Sequence, residues 1–308
     1  MPDPAQTFTV APQPWMMAAP TALVMAALAP EGAARFVGGA VRDALTGEDP
    51  AGELDIATPA APERVMELLE AAGIRAIPTG IEHGTVTAVI GTAHFEITTL
   101  RRDVVTYGRR AEVAYTDDWC VDAARRDFTF NAMSLTVDGE GFDYFGGRDD
   151  LAHGRVRFVG DPAQRIDEDV LRILRFFRFF ARYGRGDPDA VALTAIGAAA
   201  EKVCALSGER VWMELRRILA TPLPAPVCEL MVDTGVLAHL LPEAGPLARL
   251  TALARVEAVA GEAADPLRRL AAIVMPDAPG ARHLDGLADV EPQVLGRHQA
   301  RRQLAGVQ

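Results

Sequence analysis

The sequence predicts an α+β protein: a mixed sheet with helices in the first half, then an all-helical remainder. Three observations carry this. Short β-branched or alternating runs (Arg35 to Val37, Thr85 to Ile90, Phe95 to Thr99, Leu135 to Val137) all precede Asp138. Helix punctuation falls between them, with Gly47 after Val41 to Leu45 and Pro62 opening a run that stops at Gly73. Beyond Asp167 the strand signals cease and the apolar spacing is helical to about Val274.

Residues 1–20 are proline-rich without a period and read as an extended arm; Thr21 to Leu28 reads as a short apolar helix. The runs Thr85 to Ile90 and Phe95 to Thr99 read as strands paired around Gly91-Thr92. Gly184 to Pro188 and Pro222 to Pro226 break the helical half. The expected organisation is an arm over 1–20, a mixed unit over 21–150, a helical neck over 151–205, a helical body over 206–275 and a short, loosely held tail over 276–308. No internal repeat is evident.

Of the 308 residues, 49% are apolar and only 6% aromatic, which fits an alanine-rich globular protein with a large core. No run is long and apolar enough to span a membrane, and Phe176 to Phe180 is interrupted by Arg178. The N-terminus lacks a basic segment followed by an apolar one, so no secretory signal is read. Cys120, Cys204 and Cys228 lie far apart without C-x-x-C, which points to thiols of a reducing compartment and to the cytoplasm. A net charge of −11 argues against indiscriminate nucleic-acid binding but is compatible with a local basic groove.

Chemistry concentrates in three places. Phe36 to Asp43 reads as a strand and a Gly38-Gly39 turn opening a helix, a form suited to binding phosphate through backbone N–H groups. Glu53 and Asp55 follow on an extended segment, and residues two apart on a strand share a face, where hard oxygens can hold Mg²⁺. Two solvated loop acids are the plain alternative. Glu96 is a candidate third carboxylate, or a strand-face acid paired with Arg101 or Arg102.

In Ala124 to Ala132, Arg125 and Arg126 offer phosphate forks, while Asp127 and Asn131 can bond ribose hydroxyls or orient the arginines. A capped helix with a solvated basic first turn fits equally. In Glu168 to Arg182, helical spacing puts Arg172, Arg175, Arg178 and Arg182 on one face and Ile173, Phe176, Phe177 and Phe180 on the core side. With no acid four residues ahead, the stripe reads as nucleotide-facing. Asp169 and Arg172, one turn apart, can present an acceptor and donors to a base edge. Segment 101–118, with Arg109 and Arg110, reads as a mobile lid or a surface loop; His83 reads as structural.

Seven segments in order, covering about residues 35–180, resemble the class II tRNA nucleotidyltransferases (CCA-adding enzymes) and their bacterial poly(A) polymerase relatives. They are F-V-G-G-A-V-R-D from Phe36, L-D-I-A-T-P-A from Leu54, F-E-I-T-T-L-R-R-D from Phe95, G-R-R-A from Gly108, R-R-D-F-T-F-N-A from Arg125, D-Y-F-G-G-R-D-D-L from Asp143 and E-D-V-L-R-I-L-R-F-F-R-F from Glu168. The resemblance implies a polymerase-β-like nucleotidyltransferase head, then helical neck, body and tail. It implies that Gly39 and Arg42 contact the incoming nucleotide, with Gly38 in the same turn, and that Glu53 and Asp55 bind Mg²⁺. Arg126 would hold triphosphate or ribose, Asp169 and Arg172 would pair with CTP or ATP, and Arg175 and Arg178 would steady the nucleotide. Segment 101–118 matches the family's flexible loop.

The family's metal pair is usually Asp-x-Asp, and here Glu53 takes the first place; relatives also carry a longer helical tail. The expected activity is addition of C, C and A to tRNA from CTP and ATP. Poly(A) synthesis, CC-only addition and a catalytically impaired nucleotide- or RNA-binding protein are the rivals.

Overall fold

The computed structural model describes residues 5–274 apart from 33, 51, 53, 108 and 109. Compact units divide at the Asp161–Pro162 bond.

In the first unit, β1 (Gln6–Thr9), α1 (Pro14–Met17) and α2 (Ala19–Leu28) precede β2 (Arg35–Val37), α3 (Gly39–Thr46), β3 (Leu54–Thr58) and α4 (Pro62–Ala71). Then come β4 (Arg75–Gly80), β5 (Thr85–Ile90), β6 (Ala93–Thr99), β7 (Arg101–Tyr107) and β8 (Arg110–Tyr115). The unit ends with α5 (Trp119–Ala124), β9 (Ser134–Leu135), β10 (Glu140–Asp143) and α6 (Gly147–His153). Eight strands form one sheet in the order β1-β10-β9-β2-β3-β6-β5-β4, with β3 and β6 parallel and the other neighbours antiparallel.

Register explains both faces of this sheet. Val86, Ile97, Ile56, Phe36, Leu135, Gly141 and Phe8 are successive cross-strand partners, and the six side chains among them are all buried. That row forms the core face. Trp15 meets Phe36 edge-on at 4.8 Å, and α4 packs against β4, β5 and β6. One residue along each strand the side chains point the other way, so Thr87, Glu96 and Asp55 form a polar row on the opposite face.

Four expectations change. The N-terminal arm contributes an edge strand and a short helix, α1, and the expected helix from Thr21 starts two residues earlier, because the Phe8 ring lies where a Cβ on Gly141 would be and Met16 is fully buried. β4 escapes sequence reading because it contains Pro78, which an edge strand tolerates. Segment 101–118 is not a plain loop in its backbone: β7 and β8 pair as an antiparallel hairpin, Tyr107 opposite Arg110, while Arg109 lies outside the described residues. The first unit also runs past residue 150, because Phe158 packs on Phe128 at 4.8 Å and bridges to it.

The second unit is helical: α7 (Pro162–Glu168), α8 (Leu171–Tyr183), α9 (Ala190–Ala198), α10 (Gly208–Leu219), α11 (Ala225–Asp233), α12 (Val236–Leu240), α13 (Ala248–Ala260) and α14 (Pro266–Ile273). The expected neck–body boundary at 205/206 is bridged, since α8 packs directly on α10. On α8 the buried set is Ile173, Leu174, Phe176, Phe177 and Phe179; Phe180, expected in the core, is half-buried and stacks on Phe176 at 6.2 Å.

Candidate active site

In the first unit the site begins where β2 ends. Gly38 has φ +65°, which an L side chain rarely adopts, and it caps α3 so that the helix starts at Gly39. A Cβ at Gly38 would lie 3.3 Å from Asp55 Oδ2 and 3.9 Å from Arg126 Nη1. Glycine therefore leaves an opening between a carboxylate and a guanidinium at a helix N-terminus. Gly38→Ala should add backbone strain of about 1–2 kcal/mol and fill that opening, a loss of stability that denaturant unfolding reads.

Arg42 is buried on the first turn of α3, its Nη2 3.5 Å from where a Cβ on Gly39 would sit. Its Nη1 donates to Asn131 Oδ1 at 2.9 Å and its Nη2 to Asp43 Oδ1 at 3.3 Å. Asn131 Nδ2 in turn donates to Asp127 Oδ1 at 2.9 Å, an oxygen that also accepts from the Phe128 N–H. Asp127 and Asn131 thus meet, but on a turn and a short 3₁₀ segment (Thr129–Asn131) instead of a helix face, and Asn131 orients Arg42 instead of Arg125 or Arg126. The segment is braced from behind: Thr129 Oγ1 donates to buried Asp150, which also takes the Nε groups of Arg155 and Arg157.

Arg125 and Arg126 are held by Asp122, a residue the sequence reading passed over. Its buried carboxylate accepts from Arg125 Nε at 2.9 Å, Arg126 Nη2 at 3.1 Å and the Arg101 N–H at 3.3 Å. Burial alone would raise its pKa, but Arg126 and Arg125, with the Arg101 amide, hold it below the usual carboxylate range. Spacing at i, i+3 and i, i+4 was the available signal.

Asp55 is exposed, and Glu96 is its half-buried register partner on the parallel neighbour, so both carboxylates lie on one face of adjacent strands. Glu53 lies outside the described residues. Among the described residues no group of three His, Cys, Asp or Glu converges. Magnesium does not require one, since it is commonly held by one or two carboxylates plus substrate phosphates. Asp55, an exposed carboxylate whose Oδ2 faces the opening that Gly38 preserves, fits a hard divalent cation.

In the second unit Asp169 sits between α7 and α8. One Nη of Arg210, on α10, lies 3.1 and 3.0 Å from its two oxygens, and the Leu171 N–H donates to Oδ1 at 3.1 Å. Arg172 Nη1 donates to Glu168 Oε2 at 2.6 Å and to the Arg165 carbonyl at 3.0 Å. Arg178 pairs with Glu214 of α10 at 2.5 Å and lies 4.0 Å from the Phe179 ring, over which Arg175 also sits at 5.5 Å. This corrects the reading of an uncommitted stripe: Arg172 finds its acid four residues behind, and Arg178 finds one on another helix. The His83 backbone carbonyl accepts from Arg101.

A mixed sheet with a glycine-opened helix N-terminus facing a strand carboxylate, followed in the chain by a helical unit, defines a nucleotidyltransferase head with α-helical domains. Residues 34–157 match the family described as the poly A polymerase head domain, and residues 188–246 match the probable RNA and SrmB-binding site of polymerase A. The mouse protein named CCA tRNA nucleotidyltransferase 1, mitochondrial (Mus musculus), is 49% identical over 209 residues, 67% of this chain and 48% of that one. Its Homo sapiens counterpart is 52% identical over 188 residues, 60% of this chain and 43% of that one. The solved structure of the Bacillus stearothermophilus CCA-adding enzyme in complex with CTP superposes with TM-score 0.65 at 34% identity, covering 77% of this chain and 58% of that one. The chain belongs to the class II family of CCA-adding enzymes and poly(A) polymerases. It spans about half the length of the curated relatives it matches.

Proposed function

We propose that this chain carries the catalytic and nucleotide-selecting parts of an enzyme that adds C, C and A to the 3′ end of tRNA from CTP and ATP, releasing pyrophosphate. The observation that carries the reading is the opening at Gly38, bounded by Asp55 and Arg126 and backed by an Arg42 already fixed by Asn131. Identities of 49% and 52% to proteins named CCA tRNA nucleotidyltransferase favour CCA over poly(A) as the product.

The terminal 3′-hydroxyl of the RNA attacks the α-phosphate in line, and the bond to pyrophosphate breaks. Positioning and charge stabilisation are the protein's tasks in such a transfer. The N–H groups at the start of α3, Arg42 and Arg126 offer donors to the triphosphate. Arg42 is held by Asn131 and Asp43, and Arg126 by Asp122. Asp55, with Glu96 beside it and Glu53 two residues before it, would hold Mg²⁺, which supplies Lewis-acid activation and charge neutralisation when bound. Asp169 accepts from the amino group of cytosine or adenine and Arg172 donates to the adjacent ring nitrogen. Arg175 and Arg178 steady the nucleotide, and Arg109 and Arg110 belong to the segment that changes between C and A addition.

Among the described residues no helix is long and apolar enough to cross a membrane. The compartment in this reading is the cytoplasm, consistent with three cysteines lacking C-x-x-C spacing.

The test is incorporation of labelled CTP and ATP into tRNAs ending before CCA, after C and after CC, with and without Mg²⁺. Metal-dependent addition that stops after CCA is expected. Long A tracts would instead mean poly(A) synthesis, and a halt after CC would mean CC addition. Nucleotide binding without incorporation would mean a silent binder, in which case Glu53→Asp tests whether the longer carboxylate is the cause.

A further inference from the structure

We infer that Arg210 is a positioning residue that aims the Asp169 carboxylate so that it selects bases bearing an amino group over bases bearing a carbonyl at the same edge. The inference rests on the base-reading role proposed above for Asp169.

The geometry is asymmetric. Asp169 Oδ1 takes two donors, the Leu171 N–H at 3.1 Å and Arg210 Nη2 at 3.1 Å, whereas Oδ2 takes Arg210 alone at 3.0 Å. Carboxylate torsions are broad and roughly two-fold, so without such anchors the group turns freely about its last bond. Here one backbone amide and one guanidinium nitrogen define the carboxylate plane. Oδ2 is left as the oxygen with an acceptor site to offer a ligand, and Asp169 remains partly exposed, at 37% of its side chain.

An ionised carboxylate only accepts hydrogen bonds. Cytosine N4 and adenine N6 donate at the edge where uracil O4 and guanine O6 accept. A fixed Oδ2 therefore attracts the first pair and repels the second, whereas a rotating carboxylate can turn its charge away from a carbonyl and tolerate it. Glu168 plays the corresponding part for Arg172, holding its Nη1 at 2.6 Å. Arg210 differs from Glu168 in arriving from another helix, α10. Because the Asp169–Arg210 pair is about one-third exposed, it contributes little to folding stability, so its removal tests aim more than fold.

The experiment compares Arg210→Met, Arg210→Lys and Asp169→Asn in the whole chain by single-nucleotide incorporation with CTP, ATP, UTP and GTP. Arg210→Met is expected to raise the UTP-to-CTP ratio of kcat/KM about tenfold, chiefly through a higher KM for CTP, with kcat and the thermal midpoint little changed. Arg210→Lys, which keeps a donor and a charge, should recover most of the discrimination. A merely structural arginine would lower kcat for all four nucleotides alike. The inference is overturned if Arg210→Met keeps the wild-type ratio while Asp169→Asn loses it. An unchanged ratio in both variants would remove the base-reading role of Asp169, and this inference with it.

Discussion

Asp55→Asn should reduce incorporation of CTP and ATP on the order of a thousandfold while leaving the protein folded and able to bind nucleotide. Asp55 is exposed, so an isosteric amide costs little stability. Its carboxylate faces the space that a Cβ on Gly38 would fill, beside Arg126, and no described acid other than Glu96 occupies its cross-strand row. The amide removes a full charge and a hard ligand from the place where a phosphoryl group would react. Arg42, backed by Asn131, and the α3 N-terminus remain to bind the triphosphate, so the loss should fall on kcat and not on the nucleotide Kd. Glu96→Gln should cost less, because Glu96 is half-buried on the neighbouring strand. Single-turnover incorporation alongside equilibrium nucleotide binding separates the two quantities. If Asp55→Asn kept more than about a tenth of the wild-type rate, Asp55 would not be a ligand of the reacting centre.

Much of this site was legible in sequence because its chemistry is local. The Gly38-Gly39 turn, Arg42 one helical turn on and Asp55 on the next strand are short-range patterns, and the helices beginning near Gly39 and Pro62 start where glycine and proline put them. Much of what escaped depends on partners far along the chain. β1 becomes a strand only because Gly141, more than a hundred residues later, has no side chain to obstruct Phe8. Arg178 looked unpaired because its acid, Glu214 on α10, is distant in sequence, whereas Glu168, four residues before Arg172, was within reach of a local reading. Asp127 and Asn131, four residues apart, would share a face if their segment were helical; the bond between them is made on a 3₁₀ turn braced by Asp150. Tertiary contact decided these elements, and period and propensity carry no information about it.

Asp122→Asn should have the second largest effect, and it should act on stability and catalysis together. The amide can still accept one hydrogen bond, but its NH₂ turns donors toward guanidinium groups that are donors themselves. Breaking a buried pair of this kind costs about 3 kcal/mol, and it frees Arg126 from its place beside Gly38 and the Arg101 amide from the base of the β7–β8 hairpin. Incorporation should fall with it, through both a higher nucleotide KM and a lower kcat. Acid titration gives the decisive signature. The native pKa of Asp122 lies below its unfolded value, because Arg126 and Arg125 outweigh burial. Its contribution is therefore complete above the unfolded pKa of about 3.9 and disappears as pH falls through the lower native value. The stability advantage of wild type over Asp122→Asn, measured by denaturant unfolding, should stay constant from about pH 7 to about pH 5 and shrink only below about pH 4. An advantage that instead grew as pH fell from about 7 to about 5 would mean that burial, which raises the pKa, governs this carboxylate and not the arginine pair, and that Arg126 is not anchored by it.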